Sequence, residues 1–333
     1  MSGGLAAHSS PPETADHNEV MRTVQWAGTD RPISNIVVGV MRIKDLDDDA
    51  IRALVAASID AGANVFDHAA VYGHEFHGCE RRWGEALDLS PAEREAIVIQ
   101  SKAGIRRMPS GVVMFDFSKE HILESVDGSL AALQTDYLDL LLLHRPDALV
   151  EPEEVAAAFE QLHTAGKVRS FGVSNHTPGQ IELLKKYVQQ PLAVNQVQLS
   201  LTHAPLIAAG VSSNMETTDQ SISRDNGLLD YSRLNGITLQ AWSPFQKKYF
   251  DGVFLGDPEY AELNQALDDM AEKYGVTPTG IAVAWITRHP ANIQVVLGTT
   301  KPSRVLESVA GSDIPLTREE WYRLFTAAGY LVP

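Results

Sequence analysis

One cysteine, Cys79, stands alone in 333 residues. No disulfide can close within the chain, a zinc site built from four cysteines is excluded, and the usage suits a reducing cytoplasm. Long apolar runs are missing too, since none approaches the roughly 20 residues that a transmembrane helix needs. Basic side chains are in the minority, 27 Lys and Arg against 43 Asp and Glu. The resulting formal net charge of −16 argues against nucleic acid or an anionic membrane as the main partner. A small anionic cofactor stays open, because a local basic patch can hold one. The opening MSGGLAAHSSPP lacks a basic n-region and a long apolar h-region, so residues 1–20 are expected to form a flexible tail, with processing left open. No G-x-G-x-x-G follows the first expected strand, which leaves a Rossmann dinucleotide fold unsupported. The HEFH run from His74 to His77, near His68, Cys79 and Glu80, invites a metal. Its spacing is not H-E-x-x-H, and no metal is expected there.

What is present is an alternation of strand and helix patterns. On length alone the chain fits one α/β barrel with extra loops or two ordinary domains. A hairpin is expected over Arg22–Trp26 with turn residues around Gly28 and Asp30, then a strand at Ile36–Val40. The helix expected over Asp47–Ala61 carries Ile51, Leu54, Val55 and Ile59 at helical spacing, has acidic residues in its first turn and stops at Gly62. Further strands are expected at Asn64–Asp67, Ile97–Ser101, Leu138–Leu143, Ser170–Val173, Ala193–Val197, Thr238–Trp242 and Ile293–Leu297. Helical patterns separate them, and Thr317–Ala327 adds a terminal helix. Leu138–Leu143 is apolar except for Asp139, as in a strand buried on both faces. Two insertions, about 200–226 and 245–259, are expected as long loops that shape access to a site. Eight units with no internal linker favour a (β/α)8 TIM barrel with an N-terminal β-hairpin and a C-terminal extra helix, one domain over residues 21–333.

Four polar residues fall at corresponding strand ends: Asp67 and Tyr72 in VFDHAAVYG, Lys102 closing IVIQSK and His144 in LLLLHR. The carboxyl ends of barrel strands converge on one mouth, where barrel chemistry takes place. Taken singly, each has an ordinary reading: Asp67 as a loop cap, Tyr72 as packing, Lys102 as a solvated charge and His144 as a core histidine. Together they can build a tuned acid. A tyrosine hydroxyl titrates near 10, too high for efficient proton donation and recovery at neutral pH, and a neighbouring ammonium favours the phenolate. A buried carboxylate would keep that lysine charged, and an imidazole can orient a carbonyl. The set handles a proton and supplies no hydride, so a redox reaction needs a cofactor.

The motifs FDHAAVYG, Ser101-Lys102, LLHRPD, GKVRSFGVSN, Asn195-Gln196, WSP (Trp242–Pro244) and GTTKPSR (Gly298–Arg304) follow one another in an order that resembles an aldo-keto reductase from about residue 22 to 333. The closing WYR (Trp321–Arg323) and AGYLVP (Ala328–Pro333) resemble a bacterial oxidoreductase subgroup. The resemblance implies a (β/α)8 barrel and NADPH-dependent reduction of an aldehyde or ketone. In it Tyr72 matches the general acid, Lys102 and Asp67 its partners, and His144 the carbonyl-orienting residue. Ser174, Asn175 and Gln196 match residues that hold the nicotinamide carboxamide, Trp242 an aromatic that stacks on the ring, and Ser243 with Pro244 a neighbour near the pyrophosphate. Gly298, Thr299, Thr300, Lys301 and Arg304 match the region of the adenosine 2′-phosphate, which favours NADPH over NADH. Glu307 and Ser308 match the adenine end, where many members carry Asn in place of Ser308. By order and analogy the substrate mouth is expected around Met41, His68, Val71, His74, Arg145 and Phe245. A small-molecule carbonyl is the expected partner and a monomer the default state. Two rivals remain at this level. One is a class I aldolase with Lys102 as Schiff-base nucleophile. The other is a cofactor-binding sensor barrel without turnover.

Overall fold

Eight parallel strands close on themselves in simple chain order. They are β1 (Ile36–Gly39), β2 (Val65–Asp67), β3 (Val98–Ala103), β4 (Leu138–Leu143), β5 (Val168–Ser174), β6 (Leu192–Gln198), β7 (Thr238–Trp242) and β8 (Gln294–Leu297). The structure, a computed structural model, describes residues 22–333 apart from 30, 109 and 248–250. The tail expected over residues 1–20 and the turn position Asp30 therefore lie outside the described residues. The expected hairpin is present, with Thr23–Val24 paired antiparallel to Ile33–Ser34, and so is the terminal helix, Arg318–Ala327.

Strand pleating divides the apolar residues into two sets. Val37, Val65, Val98, Leu140, Leu142, Val194 and Val296 cluster with Trp26 and Ile33 of the hairpin, filling the barrel and closing its amino-terminal end. Ile36, Val38, Phe66, Ile99, Leu141 and Leu143 belong to the other cluster, which packs under the helices. Local signals set the helix ends. Asp47 caps Asp48–Asp60 by accepting from the Ala50 N–H, and Ser118 caps Lys119–Leu133 through the His121 N–H. Gly172 lets β5 and β6 approach closely, because a Cβ there would lie 2.6 Å from the Val194 carbonyl oxygen. Asp139, the polar exception in β4, accepts from Arg94 at 2.9 Å and from the Ile99 N–H at 2.9 Å, with Arg169 at 3.2 Å.

Three features differ from the sequence expectation. The insertion at 200–226 is not all loop, since it folds a helix, Pro205–Val211, and a 3₁₀ turn, Asp219–Ser221. It also receives the carboxyl terminus: Tyr330 accepts from the Ala204 N–H at 2.6 Å, and Gln220 exchanges two bonds with the Leu331 backbone, 2.9 and 2.8 Å. A short helix, Pro91–Ala96, precedes β3 behind a Ser90–Glu93 capping box. A small hairpin, Ile105–Arg107 with Val113–Phe115, follows β3 at the mouth.

Candidate active site

Asp67 ends β2, Lys102 lies near the end of β3 and His144 follows β4, so adjacent strands bring them to one rim. Tyr72 arrives on the loop after β2. That loop stays tied to β3 through His68 N–H to Gln100 O and Ala70 N–H to Lys102 O, 2.9 and 3.1 Å. It then turns at Gly73, whose φ of 116° is open to glycine and where a Cβ would meet the Gly78 Cα at 2.9 Å. Lys102 Nζ donates to Asp67 Oδ1 at 2.6 Å, to the His68 carbonyl at 2.8 Å and to the Tyr72 hydroxyl at 3.3 Å. The Tyr72 and His144 rings meet edge to face with centroids 5.7 Å apart. The four residues noted at strand ends thus form one contiguous cluster.

Burial opposes the Lys102 charge, but Asp67 and the Tyr72 oxygen outweigh it and hold the ammonium above its usual range. A lysine so held is a poor nucleophile, which speaks against the Schiff-base reading. Burial raises the Tyr72 phenol above its ordinary value, with Lys102 pulling it down and Asp67 adding to the rise. The sequence reading counted only the lysine. In this environment desolvation wins, so the phenol keeps its proton through neutral pH and Lys102 limits the rise. His144 is pushed well below the usual imidazole range by burial, with Lys102 and Arg145 adding to it. It is therefore a neutral hydrogen-bonding group.

Two other buried histidines and the half-buried His289 are held neutral as well: His68 falls to about 3, and His176 and His289 to about 4, each chiefly by desolvation. The unfolded chain takes up these protons below about 6.5 while the folded chain does not, so the stability is complete above that pH and erodes as pH falls toward 4. The melting temperature should drop clearly between about pH 6.5 and 5, before most carboxylates titrate. Replacing His176 with Phe should flatten that slope by about one proton's worth. A melting temperature flat over this window would contradict the buried-neutral assignment.

The residues matched to the nicotinamide end also gather. Asn175, with a positive φ of 61°, donates through Nδ2 to Ser174 Oγ at 2.8 Å and to the His144 carbonyl at 3.4 Å, and accepts from Trp242 Nε1 at 3.0 Å. Ser174 Oγ donates to the Gln196 carbonyl at 2.9 Å. Gln196 Nε2 reaches Asp67 Oδ1 at 3.1 Å and Gln240 Oε1 at 3.0 Å. Both amide nitrogens are committed, so the set offers carbonyl lone pairs, suited to receive an amide NH₂. Arg145 sits 5.6 Å over the Trp242 ring. Ser243 takes a positive φ of 55°, followed by buried Pro244.

At the other end, Thr299 Oγ1 accepts from the Lys301 N–H at 3.1 Å, and Lys301 precedes the helix Pro302–Gly311 with no side-chain cap. Lys301 and Arg304 are exposed and form no ion pair among the described residues. Free cations at a helix N-terminus suit a phosphate, so the donor set fits a phosphate-bearing nicotinamide cofactor. Arg42 donates to the Gly298 carbonyl at 2.5 Å and closes one side. Thr300 lies in this turn, and Glu307 on the following helix is half-buried. Ser308 is buried, and its hydroxyl donates to the Arg304 carbonyl at 2.8 Å, so it is spent inside the helix.

The expected substrate residues separate. His68 is fully buried, on the outward face one residue past Asp67, with its ring edge-on to Trp83 at 4.8 Å. This corrects its placement at the mouth: pleating turns it toward the helix layer. His74 is exposed and bonds Asp45 at 2.8 Å. Met41 gives its carbonyl to Cys79 Sγ at 3.3 Å, Val71 is buried beside Tyr72 and Phe245 packs partly on the core. Around the HEFH run, His77 pairs with Glu80 at 2.6 Å, and burial drives the Cys79 thiol up to about 11. Gln100, Gln240 and Gln294 were missed by the sequence reading; each is a lone amide on the inward face of an otherwise apolar stretch of strand.

The aldo/keto reductase family model matches residues 35–327. An oxidoreductase of Escherichia coli (strain K12) is 35% identical over 307 residues, covering 90% of this chain and 95% of that protein. A 6-dehydroglucose reductase of Novosphingobium aromaticivorans is 33% identical over 306 residues, covering 89% and 92%. Among solved structures, a thermostable aldo-keto reductase in complex with the inhibitor epalrestat superposes with a TM-score of 0.71 at 25% identity, covering 92% of this chain and 100% of that one.

Proposed function

The chain belongs to the aldo/keto reductase family, and from that premise we propose that it reduces an aldehyde or ketone to the alcohol with NADPH, with residues 21–333 acting as one cytoplasmic domain. The observation that carries the reading is the buried chain of contacts from Asp67 through Lys102 to the Tyr72 hydroxyl, 2.6 and 3.3 Å, beside a neutral His144. When bound, NADPH supplies the hydride. Tyr72 passes its proton to the carbonyl oxygen as that oxygen gains charge, and the Lys102 ammonium stabilises the phenolate left behind. Asp67 keeps Lys102 aimed, and His144 offers a neutral donor that orients the carbonyl without competing for the proton. Ser174, Asn175, Gln196 and Trp242 would hold the nicotinamide end, Ser243 and Pro244 the pyrophosphate, and the turn Gly298–Arg304 the 2′-phosphate. Glu307 is the better candidate at the adenine, since Ser308 is committed to its own helix.

An NADPH-oxidation screen over carbonyl classes tests this. The 33% identity to a 6-dehydroglucose reductase supports starting with polyhydroxylated aldehydes and ketones. Tight NADPH binding with no turnover of any carbonyl would favour the sensor reading instead. Cofactor choice has its own test. Lys301→Ala with Arg304→Ala should raise KM for NADPH about 10²-fold, the scale of two charge-assisted contacts, and leave NADH within about threefold. Equal losses for both cofactors would remove the 2′-phosphate from this turn.

A further inference from the structure

The barrel core carries a feature that simple packing does not require. Among the aliphatic side chains that fill it, a line of amides crosses the barrel. Gln100 on β3 and Gln240 on β7 come from diametrically opposite strands and exchange two hydrogen bonds, both 3.0 Å. Gln196 on β6, opposite Asp67 on β2, also donates to Gln240 Oε1 at 3.0 Å. Gln240 Nε2 continues down to Gln294 Oε1 at 3.1 Å, where Trp26 Nε1 donates from the hairpin at 2.9 Å. All four glutamines are buried. Burying amides is costly unless their bonds are made, and Val or Leu would fill the same space without that risk.

The upper end of this chain explains the expense. Asp67 Oδ1 receives three donors: Gln100 Nε2 at 2.5 Å, Lys102 Nζ at 2.6 Å and Gln196 Nε2 at 3.1 Å. Two of the three come from amides whose orientation Gln240 Oε1 sets by accepting from both. We propose that Gln100 and Gln240 are positioning residues of the reductase site, anchoring the Asp67 carboxylate from inside the barrel so that Lys102 stays directed at Tyr72. This rests on the assignment of Tyr72 as the acid. Without Gln100, Asp67 loses a donor that disperses its charge and fixes its rotamer. Lys102 then follows a mobile carboxylate, and more of the Asp67 charge reaches the phenol. Both changes make Tyr72 a weaker acid. The other groups facing the pair are His144 and Arg145 after β4, His68 behind the strand and Cys79 on the helix Gly78–Leu87, and the substitution leaves them in place.

The test reads the phenol directly. Full-length protein carrying difluorotyrosine, whose phenols titrate low enough for the fold to persist, is titrated by fluorine NMR, with the Tyr72 resonance assigned by its loss in Tyr72→Phe. In Gln100→Met the Tyr72 midpoint should move up by about one pH unit, the scale of one charge-assisted hydrogen bond. Gln294→Met, at the barrel floor and out of contact with Asp67, should leave the midpoint in place. An unmoved midpoint in Gln100→Met overturns the proposal, and so does an equal shift in Gln294→Met, which would mean general loosening. If Gln100→Met does not fold, the double variant Gln100→Met/Gln240→Met removes both ends of the reciprocal pair without stranding either amide and should give the same shift. Carbonyl turnover by the wild type is a separate measurement, so failure of the reductase reading is not confused with failure of the anchor.

Discussion

Tyr72→Phe should lower kcat for carbonyl reduction by about 10²–10⁴-fold while leaving NADPH binding within about twofold. The substitution removes one oxygen and keeps the ring, so the edge-to-face contact with His144 at 5.7 Å persists. Lys102 loses only the longest of its three acceptors and retains Asp67 at 2.6 Å and the His68 carbonyl at 2.8 Å. Stability should therefore change by no more than about 1 kcal/mol. No neighbour can take over the proton. His144 is held neutral, and the Lys102 ammonium is held above its usual range. The sign of the pH dependence follows from the same balance. Donation requires the protonated phenol, and burial raises Tyr72, so this acid form persists through neutral pH and reduction falls only on the alkaline side. Wild-type turnover in Tyr72→Phe, or an activity loss matched by equal loss of NADPH binding, would show that another group is the acid.

The legibility of this site follows from where information sits in a barrel. Asp67, Lys102 and His144 could be read because each is polar at or just past the carboxyl end of an apolar strand, with Tyr72 on the loop that follows the first of them, and barrel topology brings those ends together. His68 shows the limit of adjacency. It stands beside Asp67 in the chain, yet the two-residue pleat turns it to the opposite face and against Trp83. The amide chain of Gln100, Gln240 and Gln294 had a visible signal, one glutamine on the inward face of each of three strands. What local pattern cannot supply is that strands four places apart around the barrel face each other across its axis. The helix Pro205–Val211 was hidden for another reason. Its PLIAAGV segment spans barely two turns and is stabilised by long-range contacts, with the carboxyl-terminal Tyr330 bonded just ahead of it at Ala204. The Tyr72 phenol departs from the first expectation because a neighbouring cation is visible in a motif, whereas the desolvation opposing it depends on the whole mouth.

Lys102→Met should cost about 3–5 kcal/mol of folding stability along with most of the activity. The lysine and aspartate side chains are 0% and 4% exposed, so removing the ammonium strands a carboxylate where water cannot replace it. Methionine matches the aliphatic stem, which limits the cavity contribution and leaves the charge as the main loss. Gln100 and Gln196 continue to donate to Asp67 Oδ1, which keeps the cost toward the lower end of that range. The double variant Asp67→Asn/Lys102→Met removes both charges and should recover most of the stability, as seen in denaturant midpoints. Activity should stay low, because the phenolate formed at Tyr72 still lacks its cation. The pair thus separates two roles of one contact: stability depends on balancing the buried charge, and catalysis on where the positive charge lies relative to the Tyr72 oxygen, 3.3 Å away. If the double variant were as unstable as Lys102→Met alone, packing rather than charge would account for the loss. If it turned over carbonyls at the wild-type rate, Lys102 would have no part in tuning the acid.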